Sequence, residues 1–215
     1  MKIKAVIPTL GERTENLCVQ LIGRQVDEVQ LISGMGRWEA IYESWKAGLD
    51  SDILVLLPSD MLVYPGVVSQ LIQRLGSLDR VSGKCHSKFR GMGSGGVSVY
   101  NTACLPRLMN ISKNMYRNSI RPESEPVIRH LKYSVSDIHT GLHEYELDYR
   151  EIYDRYKYQL IKHTSQVKRN KEQYESMAKT DKDYKAVLQA IENKPFDMGE
   201  KESIDVTQVI KKYKL

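Results

Sequence analysis

The residue with the clearest chemical potential in this sequence is Asp60, which closely follows the apolar run ILVLL at residues 53–57. Because every position of this run is apolar, it is typical of a strand that is covered on both faces of a parallel sheet. A carboxylate at the end of such a strand can bind a hard divalent cation, which also takes phosphate oxygens as ligands. A turn or a helix cap is the alternative role, and the residue types alone leave both open.

Positive charge is the second chemical feature, and it is concentrated in residues 80–132. This segment contains ten lysines and arginines but only two acidic residues, Glu123 and Glu125, so it carries +8, whereas the whole 215-residue chain carries +5. Such a segment suits an anionic partner: a sugar nucleotide, a phosphorylated acceptor or a nucleic acid. A solvated basic surface without a ligand is the alternative.

The elements that must position these residues follow from the alternation of short apolar runs with amphipathic segments. Within the first 75 residues, three predicted strands are each followed by a predicted helix. This order indicates an α/β fold, a mostly parallel sheet flanked by helices. The predicted strands are residues 2–8, 28–32 and 53–57. Apolar residues recur at helical spacing within residues 16–24, 38–49 and 67–75, and Pro65 is the predicted start of the third helix.

The loops that follow the three strands are the expected place for a ligand, because ligands of such sheets bind beyond the carboxyl ends of the strands. These loops are residues 8–13, 33–38 and 58–62, and the third contains Asp60. Farther along, the glycine-rich residues 91–96 lead into a strand-like run, and residues 131–138 alternate as a late strand does.

The chain becomes rich in tyrosine after His143, and eight of its thirteen tyrosines lie beyond that residue. We therefore predict a main α/β domain at residues 1–143 and a helical extension with a tail at residues 144–215. Tyr149, Tyr153 and Tyr156 recur at helical spacing, which favours packing against the main domain or a second copy of the chain, as in a homo-oligomer. A base-stacking surface for nucleic acid is the alternative.

Several classes of protein are excluded by what the sequence lacks. A secretory signal is not expected, because the apolar stretch after Met1 ends at Pro8. A membrane-spanning helix is not expected either, because no apolar run approaches the roughly 20 residues that a bilayer requires. Cys18, Cys85 and Cys104 are widely spaced without a CxxC pair, which favours a reducing, cytoplasmic environment. The GxGxxG, GxxxxGK[ST], GxSxG and HExxH motifs of dehydrogenases, P-loop proteins and common hydrolases are absent.

Three segments, AVIPTLGER, SGMGRWEAIYESWKAG and SDILVLLPSDMLVYPG, resemble the nucleotide-binding half of GT-A glycosyltransferases, especially the family 2 group. The resemblance covers residues 3–75 and implies a GT-A-like sheet and a nucleoside-diphosphate sugar as donor. The sequence departs from the family in two places. A Pro-Ser-Asp sequence ending at Asp60 replaces the Asp-x-Asp motif, and Ser33 begins a Ser-Gly pair where the family has an acidic residue.

The resemblance also implies which residues bind the nucleotide sugar. Pro8 and Thr9 occupy the position whose neighbourhood contacts the base in the family. Arg13 and Arg37 are candidates for diphosphate contacts, because guanidinium groups match phosphate oxygens. The expected cofactor-binding residues are Pro8, Thr9, Glu12, Arg13, Ser33, Arg37, Ser59, Asp60, Gly95 and Gly96.

Three further residues of the second half have counterparts in the family. Glu125, and next Glu123, occur where inverting members place an acidic general base. His139 ends a late strand, where many members carry a metal-binding histidine. The resemblance therefore implies Mn²⁺ or Mg²⁺ bound by Asp60 and His139, with His143 as the substitute ligand.

The function implied is metal-dependent transfer of a sugar from a nucleoside-diphosphate sugar to a hydroxyl of DNA, a glycan, a protein or a lipid-linked acceptor. One alternative is a nucleic-acid-binding protein, or a DNA-base glycosyltransferase, that uses residues 80–132. The other is a sugar-phosphate nucleotidyltransferase. Such enzymes usually have a glycine-rich loop with Lys or Arg after the first strand, and TLGER at residues 9–13 is short and acidic for that role.

Overall fold

The computed structural model describes residues 1–115, 130–162, 167 and 170–215. Its elements begin with the strand–helix alternation expected from the sequence. The strands are β1 (Ile3–Pro8), β2 (Glu28–Ile32), β3 (Ile53–Leu56), β4 (Met61–Val63), β5 (Arg80–Ser87), β6 (Gly91–Asn101) and β7 (Tyr133–His143). The helices are α1 (Glu15–Gly23), α2 (Arg37–Ala47), α3 (Val67–Leu75), α4 (Leu105–Met115), α5 (Tyr149–Lys162), α6 (Lys171–Met177), α7 (Lys182–Ile191) and α8 (Val206–Tyr213).

The seven strands form one sheet in the order β2-β1-β3-β6-β5-β7-β4. The first three strands are parallel, because β1 pairs in parallel with both β2 and β3. The rest of the sheet is mixed: β6 runs antiparallel between β3 and β5, β7 is parallel to β5, and β4 is antiparallel to β7. The predicted α/β class is confirmed, with a mixed sheet flanked by helices.

The connection between β3 and β4 requires the sheet to curl. Only residues 57–60 join these strands, although β6, β5 and β7 lie between them in the sheet. Strands lie about 4.8 Å apart, so a flat sheet would separate β3 from β4 by about 19 Å. The five residue steps from Leu56 to Met61 span at most about 18 Å, even fully extended. The curl brings the end of β3, and with it Asp60, to the carboxyl end of β7, where Met61 pairs with His143.

Helices cover the sheet and anchor its strands. α2 and α4 pack on the sheet around Val6, Leu54 and Trp45, which are fully or almost fully buried. α3 packs against β5, β6 and β7 and buries Leu71 completely. Burial of one such aliphatic side chain contributes about 1.5 to 3 kcal/mol. The positions of the strand ends therefore depend on ordinary core packing.

β4 and β7 approach each other unusually closely at Gly141. Met61 pairs with His143 and Val63 with Gly141 in antiparallel register. A Cβ atom added at Gly141 would overlap the carbonyl oxygen of Leu62, and its φ of 148° is a conformation that side-chain-bearing residues rarely adopt. The register that places His143 next to the start of β4 therefore depends on this glycine.

The chain divides into two compact units, Met1–Tyr145 with Val206–Leu215, and Glu146–Asp205. The first break falls two residues after the predicted boundary at residue 143, and the last ten residues group with the first unit. Among the described residues, no helix combines the length and the apolarity that a bilayer crossing needs.

The second unit is a helical unit with tyrosines in its interior. Tyr153 and Tyr156 are 4% and 2% exposed. The Tyr156 ring meets the Tyr174 ring edge-on at 6.0 Å, and the Tyr174 ring lies 6.0 Å from that of Tyr184. Because the rings of Tyr153 and Tyr156 are buried, these two tyrosines provide no exposed surface for base stacking or for binding a second copy of the chain.

Candidate active site

The ends of the three predicted parallel strands meet at one edge of the sheet, as their alternation with helices predicted. β1 lies between β2 and β3, so their carboxyl ends point the same way. Thr9 directly follows β1 and is buried, and its N–H donates to the carbonyl oxygen of Ile32 at 2.8 Å. Pro8, the last residue of β1, pairs with Ile32, and the exposed Ser33 follows it.

The carboxylate of Glu12 joins the loop after β1 to the loop after β3. Its Oε2 accepts hydrogen bonds from Ser59 Oγ at 2.5 Å and from the Leu10 N–H at 2.9 Å, and lies 3.1 Å from Thr9 Oγ1. Thr14 Oγ1 adds a bond to the Ser59 carbonyl oxygen at 3.2 Å. Thr9, Glu12 and Ser59 were expected separately as nucleotide-binding residues, and the structure brings them together in one hydrogen-bonded group.

The backbone N–H groups at the start of this loop are bonded within the loop itself. The Gly11 N–H donates to Thr9 Oγ1 at 2.9 Å, and the Leu10 N–H donates to Glu12. Thr9 Oγ1 in turn donates to Glu15 Oε2 at 2.6 Å. A phosphate-binding loop presents free N–H groups to its ligand, and these two N–H groups are directed to protein oxygens instead.

Asp60 is buried beside a histidine. Its side chain is 1% exposed, and its Oδ1 lies 3.2 Å from Nε2 of His143, which is 16% exposed. The carbonyl oxygen of Asp60 also accepts the Glu144 N–H at 3.4 Å. The side chain of Asp60 thus belongs to a polar group at the carboxyl edge of the sheet, and the substitute ligand of the sequence analysis, His143, is the histidine that contacts it.

His139, the expected first partner of Asp60, lies elsewhere on β7, and this corrects the predicted pair. His139 is exposed and lies opposite Lys84 of β5. The next residue of β5, Cys85, lies opposite Gly141, so one step along β5 corresponds to two steps along β7. β7 therefore carries one extra residue at this irregularity. An extra residue inverts the alternation of side chains between the two faces of a strand. His139 and His143, four residues apart, consequently lie on opposite faces.

A second buried carboxylate, Glu144, extends the group around Asp60. Its Oε2 accepts a hydrogen bond from Ser87 Oγ and lies 3.7 Å from Nδ1 of His143. Its Oε1 accepts from Nη2 of Arg90 at 3.0 Å. Glu144, Ser87 and Arg90 were not predicted from the sequence as neighbours of Asp60. Only Glu144 could have been suggested by the sequence, because it adjoins His143. Ser87 and Arg90 lie 57 and 54 residues from Glu144 in the chain.

Gly96, one of the expected cofactor-binding residues, lies where a larger side chain would clash with its neighbours. It is buried in β6, and an added Cβ atom would lie 2.7 Å from both Cys85 Cβ and Thr140 Oγ1. Arg13 is half-buried and has interactions within the fold. The remaining expected residues lie outside the described residues: the side chain of Arg37, the surroundings of Gly95, and the two candidate bases Glu123 and Glu125.

The three cysteines are buried and free, and two of them lie near this group. Burial, with the Asp60 carboxylate as the second cause, raises the pKa of the Cys18 thiol well above its usual range. Burial raises the pKa of Cys85 to about 11; the Arg90 charge opposes this rise, and the charges of Glu144 and Asp60 add to it. The charges of Asp60, Glu144 and Arg90 therefore all contribute to the pKa of the Cys85 thiol.

We expect all three thiols to be nearly inert in the native protein. Burial raises the pKa of Cys104 to about 11 as well, so at about pH 8 only about one thiol in a thousand is ionised at Cys85 or Cys104. Alkylation by iodoacetamide, followed by mass spectrometry, should be about a hundredfold slower than in the urea-unfolded chain, and should accelerate as the pH rises toward 11. Rapid native alkylation of Cys85 would contradict this arrangement.

The donors at Asp60 fit a cation that is shared with a phosphate ligand. Within the described part of the chain, no three His, Cys, Asp or Glu side chains are grouped to hold a metal ion. Asp60 Oδ1 and His143 Nε2 supply one oxygen and one nitrogen donor. Mg²⁺-type sites commonly use one or two protein ligands and take the others from water and substrate phosphates, so the residues present fit that kind of site.

Comparison with known proteins identifies the fold. No family model matches the chain, and no curated protein is significantly similar in sequence. The 4-diphosphocytidyl-2C-methyl-D-erythritol synthase of Anaerococcus prevotii superimposes with a TM-score of 0.51 and 10% identity, over 65% of this chain and 87% of that chain. The 2-C-methyl-D-erythritol 4-phosphate cytidylyltransferase of Thermus thermophilus gives 0.51 and 9%, over 64% and 89%.

A glycosyltransferase involved in glycosylation of the major capsid of PBCV-1 gives a TM-score of 0.46 and 13% identity, over 68% of this chain and 94% of that chain. At these identities the similarity concerns the fold. The chain shares its mixed α/β fold, with a curled central sheet flanked by helices, with the Anaerococcus prevotii synthase and the Thermus thermophilus cytidylyltransferase. The expected GT-A-like architecture is this fold.

Proposed function

We propose that this chain is a glycosyltransferase that moves a sugar from a nucleoside-diphosphate sugar to a hydroxyl acceptor, with a divalent cation at Asp60 and His143. The observation that carries the proposal is the 3.2 Å contact between Asp60 Oδ1 and His143 Nε2 at the carboxyl edge of the sheet. In open α/β sheets this edge is where ligands bind. Two of the structural relatives are cytidylyl enzymes by name, which supports a nucleotide as the ligand.

The hydrogen bonding of the loop after β1 favours glycosyl transfer over nucleotidyl transfer. A nucleotidyltransferase must bind the triphosphate of its substrate, and loops of this kind do so with free N–H groups and basic side chains. Here the N–H groups of Leu10 and Gly11 are bonded to Glu12 and Thr9. The Glu12 carboxylate at the centre of the loop would also repel a triphosphate.

The reaction would use the residues at this edge in distinct roles. Asp60 and His143 would hold the cation, which when bound offsets the negative charge that grows on the departing diphosphate. The acceptor oxygen forms a bond to the anomeric carbon while the bond from that carbon to the diphosphate oxygen breaks. The hydroxyl proton passes to a carboxylate. Glu125 is the first candidate for this base and Glu123 the second, and both lie outside the described residues.

A nucleic-acid-binding function is less well supported, because two of the described arginines of the basic segment, Arg80 and Arg107, are engaged within the fold. Arg80 is buried, donates to Ser98 Oγ at 2.9 Å and lies over the Tyr100 ring. Arg107 pairs with Asp79 at 2.7 Å. DNA remains one of the proposed acceptors, beside a glycan, a protein or a lipid-linked sugar.

The proposal predicts that one of the nucleoside diphosphates UDP, GDP, CDP or TDP, together with Mn²⁺, raises the melting temperature. A ligand at about a hundred times its Kd stabilises the native state by about 2.7 kcal/mol, which corresponds to about 5 to 10 °C for a chain of this size. His143→Gln should abolish the shift. His139→Gln, on the opposite face of the same strand, should retain it and is the matched control.

Two outcomes would contradict the proposal: no shift with any of the four nucleotides, or equal loss of the shift in both histidine variants. A separate assay distinguishes the competing reaction. Release of pyrophosphate from a nucleoside triphosphate and a sugar phosphate would identify a nucleotidyltransferase. Transfer of labelled sugar from a nucleotide sugar to a hydroxyl acceptor would identify a glycosyltransferase.

A further inference from the structure

The backbone at Glu144 is unusual for a buried acidic residue. Its φ is 66°, a left-handed conformation that glycine or asparagine adopts more readily, and its side chain is 1% exposed. A glycine would suit the turn better on conformational grounds. Residues held in such conformations cluster at functional sites. The presence of glutamate at this position, where glycine would be less strained, therefore indicates that the Glu144 carboxylate has a role.

The described contacts of this carboxylate lead outward to an arginine. Glu144 Oε1 accepts from Nη2 of Arg90 at 3.0 Å. Ser87 Oγ donates to Glu144 Oε2 and accepts from Nε of Arg90 at 3.4 Å. Arg90 is therefore held through two of its three guanidinium nitrogens by groups at the end of β5 and just after β7.

The guanidinium group of Arg90 remains open on its other side. The Arg90 side chain is 41% exposed, in contrast to the 1% of Glu144. A guanidinium group carries five N–H donors, and the bonds to Glu144 and Ser87 use only Nη2 and Nε. Within the described residues, Nη1 has no hydrogen-bond partner. The arrangement fixes a cation from its buried side and presents its remaining donors to solvent.

The position of Arg90 relative to Asp60 connects it to the candidate site. Glu144 is adjacent in sequence to His143, which contacts Asp60, and the Glu144 N–H bonds to the Asp60 carbonyl oxygen. The two buried carboxylates alone would repel an anion, and Arg90 is an exposed positive charge paired with one of them, Glu144.

We propose that Arg90 binds the diphosphate of the substrate, and that Glu144 and Ser87 are positioning residues that hold its guanidinium group. A guanidinium group can form two parallel N–H···O bonds to one phosphate group, which an ammonium group cannot reproduce. The diphosphate identity rests on the proposed function, whereas the assignment of an anion-binding arginine rests on the contacts above.

The experiment measures binding of inorganic pyrophosphate and of the best nucleoside diphosphate, each with Mg²⁺, by isothermal titration calorimetry on the full chain. Arg90→Gln should weaken both by about tenfold to a hundredfold, the range expected for loss of hydrogen bonds to a charged group. Arg107→Gln is the matched control, because Arg107, like Arg90, is an exposed arginine paired with a carboxylate, in its case that of Asp79. It should change neither affinity by more than about twofold.

Arg90→Lys protects the test against loss of folding, since it retains a positive charge beside Glu144. It should keep the wild-type melting temperature and still lose several-fold in pyrophosphate affinity. Equal pyrophosphate affinity in R90Q and R107Q, or no pyrophosphate binding by the wild type, would overturn the assignment of Arg90. Arg90-dependent pyrophosphate binding without binding of any nucleoside diphosphate would support that assignment and reject the proposed donor.

Discussion

Asp60→Asn is expected to weaken Mn²⁺-dependent binding of the nucleoside diphosphate by about a hundredfold or more, with a similar loss of sugar transfer. Asparagine keeps the size of the side chain and removes only its charge. Because Asp60 is 1% exposed and its Oδ1 lies 3.2 Å from Nε2 of His143, the substitution removes the charge directly at the proposed cation site. The measurement is calorimetric titration of nucleotide in the presence and absence of Mn²⁺.

Asp137→Asn is the control for this experiment, because Asp137 is an exposed carboxylate on β7. It should bind nucleotide as the wild type does. Circular dichroism spectra and melting temperatures of both variants establish that the fold is retained. If D60N binds nucleotide and Mn²⁺ as tightly as D137N, the cation is not held at Asp60, and the proposed mechanism fails.

Gly141→Ala is expected to destabilise the first unit by about 3 kcal/mol or more. The added Cβ atom would overlap the carbonyl oxygen of Leu62, and the φ of 148° is strained for alanine. Because the clash is with backbone, a change of rotamer cannot relieve it. For a unit of this size the loss corresponds to a fall in melting temperature of about 6 to 12 °C, measured by thermal and urea-induced unfolding.

Gly93→Ala is the matched control within the same sheet, since an added Cβ atom at Gly93 has no neighbour within 4 Å. Its melting temperature should stay within about 2 °C of the wild type. Equal stability of the two variants would show that β4 and β7 are not as close as described. The effect also bears on function, because the pairing of Met61 with His143 is what brings Asp60 to the imidazole.

Local sequence patterns determined the α/β class and the location of the candidate site. The apolar run before Asp60 is an almost completely buried strand, and the helix predicted to start at Pro65 runs from Val67 to Leu75. These features depend on the periodicity of neighbouring residues and on the general rule that parallel strands share a carboxyl edge. Thr9, Ser59 and Asp60 could therefore be assigned to one edge of the sheet before any contact was known.

The partners of these residues depend on contacts between distant parts of the chain. Two histidines four residues apart were both candidates for Asp60, and one extra residue in β7 decides for His143 over His139. Nothing in the local pattern reveals such an irregularity, because it exists only relative to the register of the neighbouring strand.

The sequence by itself determined the kind of sheet and the carboxylate at its edge, since strand alternation and apolar burial are local properties. Only the tertiary structure decided which groups surround that carboxylate. Glu12 joins the first and third loops across 47 residues, and Arg90 meets Glu144 across 54. Such pairs arise from the curl of the sheet and the pairing of β4 with β7, which are set by packing of the whole unit.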